Sequence, residues 1–245
     1  MNTVAKCILL DIEGTTTPID FVYQVLFPFA RTHVKDYLAR HWSSADVQND
    51  LAQLREEQAA DAQQGLAPPV LRENSDQSKL ETTVAYVHWL MDRDRKSTPL
   101  KSLQGKIWEE GYQAGELLSQ VFDDVPPAMK RWREQGKRIC IYSSGSLLAQ
   151  KLLFAHTVAG DLMPLISDYF DTTVGAKKEA DSYCRIATNL QLPAEEIVFI
   201  SDVVAELDAA QAAGLQCVMS LRPGNHPQPP SHSYKIIHSF AELIS

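Results

Sequence analysis

An α/β fold organised around a parallel sheet is what this chain predicts, and three observations carry the expectation. Short apolar runs of strand length recur near the start and through the second half of the 245-residue sequence. Helical patterns separate the later runs, and such alternation requires crossover connections and a sheet covered on both faces. Between the first run and the rest, roughly a hundred residues show no strand pattern, which predicts a helical module inserted into the α/β part.

The first run, Lys6–Leu10, reads as a buried strand that stops at Asp11-Ile12-Glu13-Gly14-Thr15-Thr16-Thr17. Helical spacing then takes over. Val22, Val25, Leu26 and Phe29 form one stripe, with Pro28 restarting the helix after a kink. Leu80, Val84, Val87 and Met91 form a second, and Leu103, Ile107, Ala114 and Leu118 a third. Gly65–Pro69 and Ser97–Pro99 break them, and Asp123–Pro127 marks the return to the α/β part. Strands are expected at Arg138–Tyr142, Asp168–Thr172, Ile197–Ser201 and Gln216–Leu221, with a sixth at Tyr234–His238. Helices are expected at Leu147–Thr157, Lys178–Leu190 and Val203–Ala213, the last stopped by Gly214. The domains drawn from this pattern are an α/β core, 1–17 and 123–245, and a helical domain, 18–122.

Composition narrows the function. A formal charge of −8 argues against nucleic acid or an anionic membrane as the main partner. An anionic small substrate stays open, because a bound metal and local cations outweigh the global field. No stretch approaches a membrane span in length, and the first apolar run is too short for a signal peptide and is interrupted by Asp11 and Glu13. A cytoplasmic location is therefore expected. Cys7, Cys140, Cys184 and Cys217 lie far apart without metal-type spacing; Cys7, Cys140 and Cys217 are expected as buried reduced thiols. His226, His232 and His238 are expected at the surface.

In an open parallel sheet, ligands gather outside the carboxyl ends of the strands, so the residues after each run carry the chemistry. Asp11 and Glu13 follow the first. Two acids two apart on an extended chain point the same way, and Gly14 lets the backbone turn with its N–H groups open toward an anion. One carboxylate suits attack on a phosphoryl group and the other a proton shuttle; the plain alternative is a strand ending in solvated acids. The second run ends in Tyr142-Ser143-Ser144-Gly145-Ser146, which offers O–H and N–H donors to a phosphate, with Ser146 as N-cap. After the third comes Gly175-Ala176-Lys177-Lys178-Glu179, where Lys177 would neutralise the nucleophile–phosphate pair and Lys178 would face solvent. After the fourth come Ser201-Asp202, then Glu206 and Asp208. Asp11, the carbonyl or carboxylate of Glu13, and Asp202 form a hard oxygen set suited to one Mg²⁺ per chain. Glu206 is expected to hold a metal water, and Asp208 to cap or salt-bridge its helix. Each station has a bland reading by itself, such as a solvated lysine at a helix start, but four chemically matched strand ends are a poor coincidence.

Acid–x–acid–Gly–Thr, a strand-end Ser, a Lys and a second acidic strand end together resemble the haloacid-dehalogenase-type (HAD-like) phosphohydrolases. Glu13 departs from the Asp that most members carry there. The longer string Asp11-Ile12-Glu13-Gly14-Thr15-Thr16 is similar to the enolase-phosphatases of methionine salvage, as are Tyr142–Ser146, Gly175-Ala176-Lys177 and Arg222-Pro223-Gly224-Asn225. The resemblance spans the chain and implies a Rossmann-like core with a helical cap over 18–122. It implies Asp11 as nucleophile and magnesium ligand, Glu13 as second ligand and acid/base, and Asp202 as the residue that completes the metal site. Ser143 and Ser144 would hold the substrate phosphate, and Lys177 would pair with it. The implied substrate is 2,3-diketo-5-methylthiopentyl-1-phosphate, enolised and then dephosphorylated to the dihydroxy-keto-methylthiopentene (acireductone). The alternative is a Mg-dependent phosphatase acting on another small phosphomonoester such as a sugar phosphate. A non-catalytic binding module on this fold would be expected to lack Asp11, Lys177 or Asp202. The partner expected is a small-molecule phosphate, with no nucleic acid and no membrane, and the chain is expected as a monomer.

Overall fold

The structure, a computed structural model, describes residues 5–229 and 233–243. His232, expected at the surface, lies outside the described residues. Along the chain come β1 (Cys7–Leu10), α1 (Ile19–Phe21), a π-helical turn (Val22–Leu26), α2 (Phe27–His41), α3 (Ala45–Gln63), α4 (Asp76–Met91) and α5 (Thr98–Gln113). Then follow α6 (Val125–Glu134), β2 (Arg138–Tyr142), α7 (Leu147–Ala155), β3 (Asp168–Phe170), α8 (Ala180–Leu190), β4 (Ile197–Ser201), α9 (Val204–Ala212), β5 (Gln216–Ser220) and β6 (Lys235–Ile237). Two compact units result: one runs to Tyr23 and resumes at Leu117, and the other is Gln24–Glu116.

The first unit holds a six-stranded sheet in the order β3-β2-β1-β4-β5-β6, with every pairing parallel. β1 sits in the middle and all four of its residues are buried, as a strand covered on both faces requires. Strand alternation divides them. Cys7 and Leu9 join a core with Tyr183, Ile186 and Leu190 of α8 and Leu207 and Ala210 of α9. Ile8 and Leu10 point to the opposite face. Asp11, the next residue in phase with Leu9, is therefore delivered to the side covered by α8 and α9. Register fixes its depth: Leu10 pairs with Ile141 of β2 and with Ile200 of β4, and the Asp11 N–H still donates to Ile200 O at 3.0 Å.

The second unit is helical throughout. α5 packs on α2 and α3, and α4 packs on α2. Ser44, Ser75 and Ser97 cap α3, α4 and α5 by accepting from the N–H three residues on, which defines three sharp helix starts. The break before α2 is the π-helical turn, placed just ahead of Pro28, which has no N–H to give the carbonyl four residues back. Two stripes differ from expectation. α5 ends at Gln113, so Leu118 is no part of its apolar face and is exposed. The buried face of α4 is carried by Val84, Tyr86, Val87, Trp89 and Leu90, and its aromatics fall outside the aliphatic stripe drawn from spacing. Ser97 is buried and caps α5, so the expected break at Ser97–Pro99 is the start of that helix.

Candidate active site

The expected stations converge at one end of the sheet through strand order. Lys177 Nζ lies 2.5 Å from Asp11 Oδ1 and 2.6 Å from Glu206 Oε2, and all three side chains are nearly inaccessible. Asp11 comes from the end of β1, Glu206 from the first turn of α9, and Lys177 from the turn before α8. That turn is held at its carbonyls: Tyr142 OH donates to Gly175 O, Ser182 Oγ to Ala176 O and Tyr183 OH to Lys177 O, all within 2.9 Å. Gly175 is obligatory there, because its φ of +134° is a glycine region and a Cβ would collide with Ser182 Oγ. Helix α8 begins at Ala180, later than expected, so Lys177 sits in the turn itself; Lys178 is exposed, as expected.

Electrostatics inside the cluster are unbalanced. Burial works against the charge of Lys177, but Asp11 and Glu206 overcome it, and its pKa is raised. Burial, then the charges of Asp11 and Glu206, push Asp202 up to about 7. Burial and Asp11 likewise raise Glu206 to about 7, against the pull of Lys177. Three carboxyl groups thus face one ammonium, a deficit of positive charge that pushes two of the acids toward their neutral forms and that a bound cation would relieve.

Several sequence expectations are refined or corrected here. Glu206 does more than the metal-water role expected of it: its Oε2 pairs with Lys177 and accepts from Ser201 Oγ at 3.0 Å. The N–H groups from Gly14 to Thr17 are spent within the turn and do not open toward an anion. Gly14 N donates to Thr17 O, while Thr15, Thr16 and Thr17 N all converge on Ile12 O at 2.9–3.2 Å. The chain bends at Ile12, so strand alternation ends with Asp11 and does not aim Glu13. Asp208 accepts from Tyr234 OH at 2.6 Å and ties down the segment leading into β6, instead of capping its helix.

Ser143 and Ser144 follow β2, the strand next to β1, and Ser143 is buried while Ser144 is exposed. Ser143 Oγ accepts from Gly145 N at 3.2 Å and retains its own proton for donation. Ser146 caps α7, as expected. All four cysteines are free thiols; Cys7 and Cys140 are fully buried, whereas Cys217 is only partly so.

Oxygen donors suited to a hard cation gather around Gly14. This residue has φ +69°, and a Cβ on it would meet Asp202 Oδ2 at 2.5 Å and Asn225 Oδ1 at 2.9 Å. Asn225 Oδ1 is buried and accepts no hydrogen bond. Among the described residues no three His, Cys, Asp or Glu side chains enclose a metal by themselves. A Mg²⁺ ion fits this chemistry on other grounds: it favours carboxylate, carbonyl and water oxygens together and keeps several waters. The charge deficit and the unpaired amide oxygen match that donor set.

The sequence reading gave no role to Asn225 and Tyr142, although both stand in its family-like strings, and it passed over Tyr183. The signal for Asn225 was a Pro-Gly turn directly after a strand; for Tyr183 there was none.

The profile of the haloacid dehalogenase-like hydrolases matches residues 5–214. Over 96% of both chains the sequence is 51% identical to Enolase-phosphatase E1 of Synechococcus elongatus. It is 46% identical to the probable bifunctional methylthioribulose-1-phosphate dehydratase/enolase-phosphatase E1 1 of Vitis vinifera, covering 97% of this chain and 47% of that one. Among solved structures, the UTR4 protein of Saccharomyces cerevisiae is similar with a TM-score of 0.78 and 33% identity, over 96% of this chain and 98% of the other.

Proposed function

The chain belongs to the haloacid dehalogenase-like hydrolases and, among them, to the enolase-phosphatases, and from that membership we propose that it enolises 2,3-diketo-5-methylthiopentyl-1-phosphate and then removes the phosphate. The product is the dihydroxy-keto-methylthiopentene of methionine salvage. The observation that carries the phosphoryl half is the buried Asp11–Lys177–Glu206 chain beside Asp202.

In this reading Asp11 is the nucleophile. Its carboxylate attacks phosphorus, the bond to the substrate's C1 oxygen breaks, and Glu13 gives that oxygen a proton. Glu13 then takes a proton from the water that hydrolyses the aspartyl-phosphate. Lys177, a fixed positive charge aimed at Asp11, offsets the negative charge that gathers there. Ser143 and Ser144 bind the phosphate oxygens. Asp11, the backbone carbonyl of Glu13 and Asp202 would hold one Mg²⁺, which leaves the Glu13 carboxyl for proton transfer; the ion would supply positive charge to polarise adjacent carbonyl oxygens and to offset charge on the transferring group. The helical domain serves as the cap. The enzyme works as a cytoplasmic monomer on a free small molecule, without nucleic acid or membrane; the −8 charge supports the last point, since it opposes polyanionic partners.

The test is phosphate release from the diketone phosphate against a panel of sugar and other phosphomonoesters, with and without excess EDTA. Preference for the diketone and loss of release in EDTA are expected. A sugar phosphate turned over faster, or full release in EDTA, would overturn the reading. Asp11→Asn should abolish phosphate release yet accumulate a phosphorylated enol, seen as a new ultraviolet band. If the folded variant never forms the enol at saturating Mg²⁺, Asp11 serves both steps.

A further inference from the structure

We propose that Asn225 is a positioning residue of the cation site, its side-chain oxygen accepting a hydrogen bond from a water carried by the divalent ion. The inference rests on the Mg²⁺ reading above, but its own support lies in the loop after β5.

Arg222-Pro223-Gly224-Asn225 forms a tight turn in which Asn225 N donates to Arg222 O at 3.2 Å. Pro at the second position and Gly at the third, with φ +85°, are what a type II turn requires. Its base is held from several sides. Arg222 donates twice to Asp124, at 3.0 and 2.9 Å, and once to His238 O at 2.8 Å. Its guanidinium lies 4.7 Å from the ring centroids of both Phe122 and Phe240. The turn therefore presents Asn225 from a fixed platform.

The orientation of the amide is chemically determined. Asn225 Nδ2 donates to Gly14 O at 3.0 Å and to Ser220 O at 3.3 Å. Two carbonyl acceptors demand the NH₂ group, so the oxygen must take the other side. There it lies, with Asp202 Oδ2, against the face of Gly14 where any Cβ would stand. A buried acceptor without a donor forfeits its hydration with nothing in return. A water of a hydrated divalent ion is a donor-only neighbour and would relieve that cost. The same residue thus braces the Gly14 turn through its nitrogen and turns its oxygen toward the ion's water through its geometry.

The experiment is calorimetric titration of Mg²⁺ into the wild-type protein, Asn225→Ala and Asn225→Asp, with the melting temperature of each in EDTA measured in parallel. Loss of an outer hydrogen-bond partner of a bound metal typically weakens affinity roughly 10–100-fold, and that is expected for Asn225→Ala. Asn225→Asp keeps an acceptor oxygen and should bind Mg²⁺ at least as tightly as the wild type, although it loses the donor to Gly14 O and melts lower in EDTA. Equal Mg²⁺ affinity in all three proteins, with only the EDTA melting temperature changed, would make Asn225 a brace alone and overturn the proposal. If the alanine variant does not fold, an aspartate variant that binds Mg²⁺ more weakly than the wild type would do the same. Failure of the wild-type protein itself to bind Mg²⁺ would instead remove the metal reading on which the proposal rests.

Discussion

Lys177 and Lys178 are adjacent residues of one chemical type, yet only the first is bound on both sides by carboxylates. Its ammonium is buried, so its removal leaves Asp11 and Glu206 without a counter-charge, a loss typically worth about 3–5 kcal/mol for a buried pair. Lys177→Ala should therefore lower turnover roughly 10²–10³-fold, while Lys178→Ala, at an exposed position, should leave it nearly unchanged. Steady-state phosphate release by the two variants measures the difference. Equal, small effects would mean that the Lys177 ammonium does not act on the reacting group. Glu206 was visible in the sequence as an acid four residues beyond Asp202, the spacing that puts two side chains on one face of a helix. Its partner was not visible, because Lys177 reaches it only through the fold.

At the scale of elements, the turn after β5 and the start of α6 are locked together by Arg222 and Asp124. Burial works to raise the Asp124 pKa, but the Arg222 guanidinium, the Phe240 N–H and the Ser239 hydroxyl together hold it below the ordinary carboxylate value. A carboxylate with a depressed folded-state pKa adds stability above its unfolded value, near 3.9, and loses it as pH falls through the folded one. Asp124→Asn should destabilise the protein by about 3–5 kcal/mol at neutral pH. The gap between wild type and variant should shrink below about pH 4. Urea denaturation of both proteins at neutral pH and at about pH 3 checks this; a gap independent of pH would mean the pair contributes through shape and not charge. The strands at this end were legible as β-rich runs to within two residues, whereas this lock was not, since Asp124 and Arg222 are 98 positions apart.

For the molecule as a whole, the proposed cation ligands come from the segments directly after β1 and β4 of a single unit, so binding is linked to unfolding of that unit. A ligand at a hundred times its Kd adds roughly 2.7 kcal/mol, which for a chain of this size is roughly 5–10 °C in Tm. Differential scanning calorimetry with Mg²⁺ and with EDTA should show this shift in the transition of the sheet-bearing unit. No shift at any Mg²⁺ concentration would exclude the site. The chain divides at Tyr23 and Glu116. Sequence pattern drew the helical domain as 18–122, because the segments 18–23 and 117–122 carry no strand signal. Phe122 N bonds Thr16 O and Ser119 N bonds His156 O, both contacts within the first unit that no local pattern encodes.

By itself the sequence determined the strands, their alternation with helices, the helical insert and the chemical type of each strand-end station. Those are matters of short-range periodicity and of residue identity, and both are written in order along the chain. Only the tertiary structure decided which stations touch. Parallel pairing of β1 with β2 and β4 set Asp11 level with the ends of its neighbours, and the faces of α8 and α9 brought Lys177 across a separation of 166 residues. It also decided which backbone donors were already spent, as at Thr15–Thr17. Asn225 belongs to the same class: a turn was readable after β5, but the carbonyls that orient its amide belong to Gly14 and Ser220, and only the closed sheet puts them within its reach.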